Sequence, residues 1–317
     1  MFKNPLAVLR KIQCAAWLAA LGLVSSPMEL GADVGLPGAI YSTDAVVSPS
    51  VAGSDFWIYE EATPGNLILT NDAAQLHAVL EGHAGAPGGN VELFSQSEFP
   101  EYLDAGSGGA FASVAPVYLS GTAGTFAFEF RSLNGTDWFG SPSGYDTSYG
   151  ASTLATEWFD AFIDSVSAIS NPFVGSVLNA NRSVLFDQWR DAGGFASLSD
   201  ANIGYVYQDG VGGDLHFGLE GFLDASPRFR QFLADAGYGL AAGFVPDGIQ
   251  YSEVVMLNGE VYYSFGNATA SGVQLDDAPY HSYTGDFEFV ASAPEPGGAL
   301  LIAVVGFWLM LFRRKFP

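Results

Sequence analysis

From Thr125 to Arg131 apolar and polar positions alternate: Phe126, Phe128 and Phe130 fall on one side, Ala127, Glu129 and Arg131 on the other. A period of two is the pleat of a strand with one buried face. Shorter strand-like runs precede it at Phe56-Trp57-Ile58-Tyr59, Leu67-Ile68-Leu69-Thr70 and Val91-Glu92-Leu93-Phe94. Clusters of Gly, Pro, Asn and Ser such as Ala84 to Asn90 separate these runs and read as loops. Near Ser152 the spacing changes. Leu154, Trp158, Phe162, Val166 and Ile169 recur every three or four residues while Glu157, Asp160 and Asp164 share another face, which predicts an amphipathic helix with a wet carboxylate row. A second helix is expected from near Arg182 to Ala192, stopping at Gly193-Gly194. A third is expected with Ser226 as N-cap, Pro227 at N1, a buried stripe of Phe229, Phe232 and Leu233, and Gly237 at the left-handed C′ position. Strands return at Tyr251 to Leu257 and Glu260 to Phe265, joined by Asn258-Gly259, a pair suited to the positive φ values of a type I′ hairpin turn. Tyr283 to Val290 offers a closing strand. The pattern predicts an α+β fold, mainly antiparallel β at both ends (33–149 and 241–293) with a helical middle section (150–240). No internal repeat points to an array or propeller.

The two chain ends follow other rules. Lys3, Arg10 and Lys11 precede an apolar stretch from Ile12 to Val24, which reads as a secretory signal peptide over 1–32, with cleavage after Ser26 or after Ala32 both open. At the other end Pro294-Glu295-Pro296 is followed by an apolar run from Gly297 to Phe312 and then by Arg313-Arg314-Lys315. The tripeptide interrupts regular structure, the run 297–312 suits a transmembrane helix, and the basic cluster holds the cytoplasmic side. That run is short beside the roughly 20 residues that span a bilayer, so it relies on snorkelling basic side chains or local thinning.

These three parts, in this order over 294–317, resemble the PEP-CTERM sorting signal of Gram-negative bacteria. The resemblance implies recognition and cleavage by a membrane exosortase, transient inner-membrane anchoring, and delivery to the cell surface or beyond. It also implies a link to exopolysaccharide and biofilm matrix. The exported portion is similar, more weakly, to a subgroup of PEP-CTERM proteins without assigned activity, through Asn134-Gly-Thr-Asp-Trp-Phe139, the Leu154 to Phe162 helix and Ile203-Gly-Tyr-Val-Tyr-Gln208.

Composition narrows the exported stretch, 33–293. The chain has 34 Asp and Glu; without Glu29 and Glu295 this stretch keeps 32, against Arg131, Arg182, Arg190, Arg228 and Arg230 and no lysine, a formal charge of −27. Nucleic acid and anionic lipid are unsuitable partners for such a surface. The single cysteine, Cys14, lies in the signal peptide, so disulfides, a thiol nucleophile and thiolate metal sites are excluded from the exported part, and packing must hold the core.

Chemical motifs are scarce. His77, His83, His216 and His281 form no H-E-x-x-H or H-x-H arrangement, and G-x-S-x-G, a phosphate loop and a Rossmann fingerprint are missing. No catalytic residue and no cofactor is expected. The Gly-rich stretch Gln208 to Asp214 brings Asp209 and Asp214 within reach of one hard cation such as calcium, and Asp276-Asp277 is a second candidate, but neither fits EF-hand spacing and acidic Gly-rich turns are common without metal. Asn134, Asn181 and Asn267 match the glycosylation sequon, by chance in a bacterium. The expectation is a non-enzymatic surface or matrix protein, interacting with extracellular polysaccharide or matrix proteins. The alternatives are a carbohydrate-binding module, with Trp138 and Tyr145 as platform candidates, and a glycoside hydrolase acting through two carboxylates.

Overall fold

The computed structural model describes residues 36–48, 56–63, 66–70, 72–93, 110–141, 144–270 and 285–293. The expected signal peptide and the whole sorting segment, with Pro294, Glu295, Pro296, Arg313, Arg314 and Lys315, lie outside the described residues. Among those described, no helix is long and apolar enough to cross a membrane.

The first half runs β1 (Ala39–Tyr41), β2 (Val46–Ser48), β3 (Phe56–Thr63), β4 (Asn66–Leu69), α1 (Leu76–Leu80), β5 (Gly89–Leu93), α2 (Ala110–Ser113), β6 (Tyr118–Ala123) and β7 (Phe126–Arg131). Next come α3 (Gly135–Phe139), the small ribbon of β8 (Gly140–Ser141) and β9 (Gly144–Tyr145), and three helices, α4 (Leu154–Ile169), α5 (Pro172–Ala180) and α6 (Arg182–Asp191). The chain returns to strands with β10 (Asn202–Asp209) and β11 (Leu215–Phe222), then forms α7 (Ser226–Asp235) and α8 (Gly239–Ala242). It closes with β12 (Tyr251–Ser252), β13 (Val255–Leu257), β14 (Glu260–Tyr262), β15 (Thr269–Ala270) and β16 (Gly285–Ala291).

The fold is mixed α+β with antiparallel sheets. The larger sheet has the order β15-β16-β11-β10-β5-β3-β4, with β1 on β10 and β12 on β11; the smaller has the order β14-β13-β7-β6-β2. β7 keeps the alternation legible in its sequence, its three phenylalanines buried and Ala127 and Glu129 exposed. Those rings meet the inward side chains of the larger sheet, and Phe130 lies 5.0 Å from Phe217, centroid to centroid. A second core forms where α4 to α7 pack around Trp138, Trp158, Phe162, Phe186 and Phe195.

Local chemistry explains the helix ends. Thr153 caps α4 through Thr156 N. Asn171 caps α5 through Val174 N and Pro172 follows in the first turn; this helix is not among those the periodicity predicts, although Asn-Pro is a start signal. α6 ends one residue short of its expected limit. Gly237, at φ +87°, ends α7 as expected, because Gly237 N–H donates to Ala234 O and Tyr238 N–H to Leu233 O, the paired bonds of a Schellman motif. At the other end of α7 the structure differs. Ser226 is the first helical residue, not the cap, and its hydroxyl accepts from Ile249 N at 3.1 Å while Asp224 accepts from Ser226 N at 2.9 Å.

Three further expectations are revised. The middle section is not purely helical: β10 and β11 lie inside 150–240 and are central strands of the larger sheet, β10 with its alternation broken by a bulge between Ile203 and Tyr205. The stretch Tyr251 to Leu257 divides, β12 pairing with β11 and β13 with β7 across the two sheets, and Asn258-Gly259 turns β13 into β14 at φ +50° and +89°. The carboxylate row on α4 is more than a wet face. Arg182 of α6 bonds Asp160 at 2.9 Å and Asp164 beside it, and Tyr149 donates to Asp160 at 2.7 Å, so the row fastens α6 and the preceding loop to α4.

Candidate functional site

In β11 the residues Leu215, Phe217 and Leu219 enter the core between the sheets, which leaves His216, Gly218 and Glu220 on the opposite face. The register brings polar partners to that same face. Glu220 pairs with Asp286 and Gly218 with Glu288 on β16; Tyr205 of β10 pairs with Gly218, and Asn202 with Glu92 of β5. A β-bulge between Ile203 and Tyr205 keeps Asn202 and Tyr205 on this side while Ile203 and Val206 stay in the core. The outcome is a polar face on the larger sheet, with Asn90, Glu92, Asn202, Tyr205, Glu220 and Asp286 buried.

Its centre is the side-chain contact between Glu220, 3 % exposed, and Asp286, 0 % exposed. Apart from the Glu220 carboxyl, no N–H or O–H of the described residues donates to either oxygen of Asp286. Two carboxyls in contact attract only when at least one carries a proton, and burial raises the cost of charging either. Burial, followed by the charge of Asp286 and the hydrogen bond to it, pushes the Glu220 carboxyl well above the usual carboxylate range. Burial pushes Asp286 up to about 7, against the lowering effect of its bond with Glu220. Gly204 backs the pair closely: a Cβ there would lie 3.5 Å from Glu220 Oε1 and 3.6 Å from Asp286 Oδ1.

Around this pair the other polar groups are anchored. Glu253, between β12 and β13, accepts from Asn202 N and from Asn202 Nδ2 at 3.0 Å. Further along the seam His216 Nδ1 lies 2.8 Å from Glu288 Oε1, and the Tyr207 hydroxyl reaches the same oxygen at 3.3 Å. The imidazole stacks on Tyr207 at 4.8 Å and 6°, an apolar support for one side of the ring. Burial first, then Glu288, raises the pKa of Tyr205 and of Tyr207, so both remain neutral phenols. Chemically the face can store a proton between two carboxyls.

The residues singled out in the sequence are placed as follows. Asp209 and Asp214 close the β10–β11 hairpin, where Asp209 N donates to Asp214 O and Asp214 Oδ1 accepts from Ala293 N at 2.9 Å. No group of three or more metal-ligating side chains forms among the described residues; Asp276, Asp277 and His281 lie outside them. His77 sits in α1, and His83 Nδ1 accepts from Gly85 N at 3.2 Å in a turn. Trp138 is wholly buried, so it is a core anchor and not half of a binding platform. Tyr145 is 40 % exposed, its ring edge-on to Phe139 at 5.8 Å. Asn134 forms a capping box with Asp137 at the start of α3, and Arg131 holds Asp137 from the neighbouring strand at 2.7 Å. Glu220, Asp286 and Glu253 are absent from the residues that motif reasoning identifies; the one sequence signal is an acidic residue inside an apolar, glycine-rich run, as in Gly218-Leu219-Glu220-Gly221.

No protein-family model, no curated protein and no solved structure matches the chain.

Proposed function

We propose that the chain is an exported protein of the cell surface or extracellular matrix, sorted through its C-terminal segment and serving a structural or interaction role among exopolysaccharide and matrix proteins. The observation that carries this reading is the order of the last parts: Pro294-Glu295-Pro296, an apolar run and Arg313-Arg314-Lys315. An extended tripeptide presents backbone to a protease, the run holds it at bilayer height, and the basic cluster prevents the tail from slipping through. The bond from Ala293 N to Asp214 ties the chain to the fold immediately ahead of Pro294, which supports a boundary at that residue. An exosortase is the processing partner, anchoring is transient, and the mature protein has no span at its C-terminus.

Glycoside hydrolysis has less support. Its two carboxyls stand about 5–5.5 Å or 6.5–9.5 Å apart across a sugar, whereas Glu220 and Asp286 are bonded to each other and buried. Mass spectrometry of surface material from the native host tests the sorting reading, with a mature C-terminus near Pro294 as the expected result. Mature protein still ending at Pro317, or unchanged processing after Pro294, Glu295 and Pro296 are all replaced by Ala, overturns it.

A further inference from the structure

Among the described residues β16 is held almost entirely from one side. Its neighbour β15 contributes two residue pairs, Thr269 with Asp286 and Ala270 with Gly285, whereas β11 pairs with all seven residues from Gly285 to Ala291. Three ionisable fasteners lie along that one seam: Asp214 on Ala293 N, His216 on Glu288, and Glu220 on Asp286. The first is a carboxylate accepting from a backbone amide, and the second sets an imidazole nitrogen against a carboxylate. The third joins two acids directly opposite each other, an arrangement that destabilises a strand pair once both are charged.

We propose that Glu220 and Asp286 form a proton-operated latch, which clamps β16 onto β11 while the pair holds a proton and releases β16 when both carboxyls are ionised. Among the described residues the charges that act on Glu220 are those of Asp286 and Glu253, both acids. Glu253 from the β12–β13 connection, Glu92 from β5, Asp200 ahead of β10 and Glu288 on β16 are acids; Tyr205 and Tyr207 on β10 are neutral; His216 on β11 is engaged by Glu288. β15 and Gly204 bring no charge to the pair. The pair loses one proton as Asp286 titrates at about 7, and is doubly charged only once Glu220, itself held well above the usual carboxylate range, ionises too. The latch therefore opens on the alkaline side of neutrality, and the strand it frees leads directly to Ala293 and Pro294. Local opening of an edge-proximal strand costs less than global unfolding, so release precedes loss of the fold. The latch rests on the strand register and burial, and stands or falls independently of the sorting reading.

Hydrogen exchange of the full chain, followed by mass spectrometry and corrected for the intrinsic pH dependence of amide exchange, tests it. From about pH 6 to about pH 9, protection of the Gly285–Ala291 amides falls about tenfold or more relative to the β6–β7 amides, tenfold being the weight of one pKa unit. In Glu220→Gln the amide donates to Asp286 at every pH, and the fall disappears; Asp286→Asn behaves alike from the other side. Protection changing in step in β16 and β6–β7 of the native chain overturns the latch without recourse to any variant. A fall that persists undiminished in whichever variant folds overturns it as well.

Discussion

The indole N–H of Trp138 donates to the hydroxyl of Ser199 at 2.7 Å, where both side chains are cut off from water. Ser199 in turn donates to Phe195 O at 2.8 Å, so one short chain of bonds ties α3 to the turn ahead of β10. Trp138→Ala removes a large buried ring and the bond together, and should cost about 3–5 kcal/mol in denaturant unfolding. Tyr145→Ala, at a half-exposed ring, should cost less than about 1 kcal/mol. Equal losses would refute the core assignment of Trp138.

At the start of α7 the serine and its neighbour have exchanged roles relative to the sequence pattern. Asp224 accepts from Ser226 N and, at 3.1 Å, from Gly248 N, while the buried Ser226 hydroxyl serves Ile249. Asp224→Ala should therefore cost about 1 kcal/mol as a lost helix-start acceptor, with Asp224→Asn near native. Ser226→Ala should cost about 1–3 kcal/mol because a buried amide loses its acceptor. An Asp224→Ala midpoint equal to the native one would return the capping role to Ser226.

Stability should peak in mildly acidic solution. Glu220 and Asp286 titrate above their unfolded values, so between about pH 4 and about pH 7 the folded chain keeps protons that the unfolded chain has released, and stability falls as pH rises. Asp44 has the opposite sign. The amide and then the hydroxyl of Thr122 lower its pKa, so its contribution is present above the unfolded value and lost as pH falls through the folded one. Guanidinium midpoints should be highest near about pH 5, with Asp286→Asn flattening the alkaline limb. A native midpoint that rises steadily from pH 5 to pH 8 contradicts this.

For calcium, the expected titration by calorimetry shows no submillimolar site at the β10–β11 hairpin, since one oxygen of Asp214 is committed to Ala293 N and two carboxylates supply little of a six- to eight-oxygen shell. A submillimolar site abolished by Asp209→Ala or Asp214→Ala would reverse that expectation and favour calcium-dependent adhesion.

Local signals were the legible ones. Asn258-Gly259, Gly237 and the alternating phenylalanines of β7 each act within a few residues, and each is found where its chemistry requires. β10 is obscured because a bulge between Ile203 and Tyr205 breaks its alternation, and β11 because Gly218 and Gly221 dilute the stripe of Leu215, Phe217 and Leu219. Their glycines answer to packing: a Cβ on Gly218 would come within 2.3 Å of the Tyr205 ring. The acid pair was out of reach for another reason. Glu220 and Asp286 are remote in sequence and meet only through strand register, which periodicity cannot reveal.

The partnership of β11 with β16 also orders events during synthesis. β10 is made just before β11 and can pair with it at once, but β16 is among the last described residues to leave the ribosome, after α7, α8 and the smaller sheet's final hairpin. Until then β12 pairs with β11 only at Gly221 and Phe222, and the register that β11 shares with β16, from Leu215 to Gly221, awaits its partner strand. A nascent chain in that state is a template for wrong strand pairing, so a chaperone that binds extended segments has its natural target between Leu215 and Phe222.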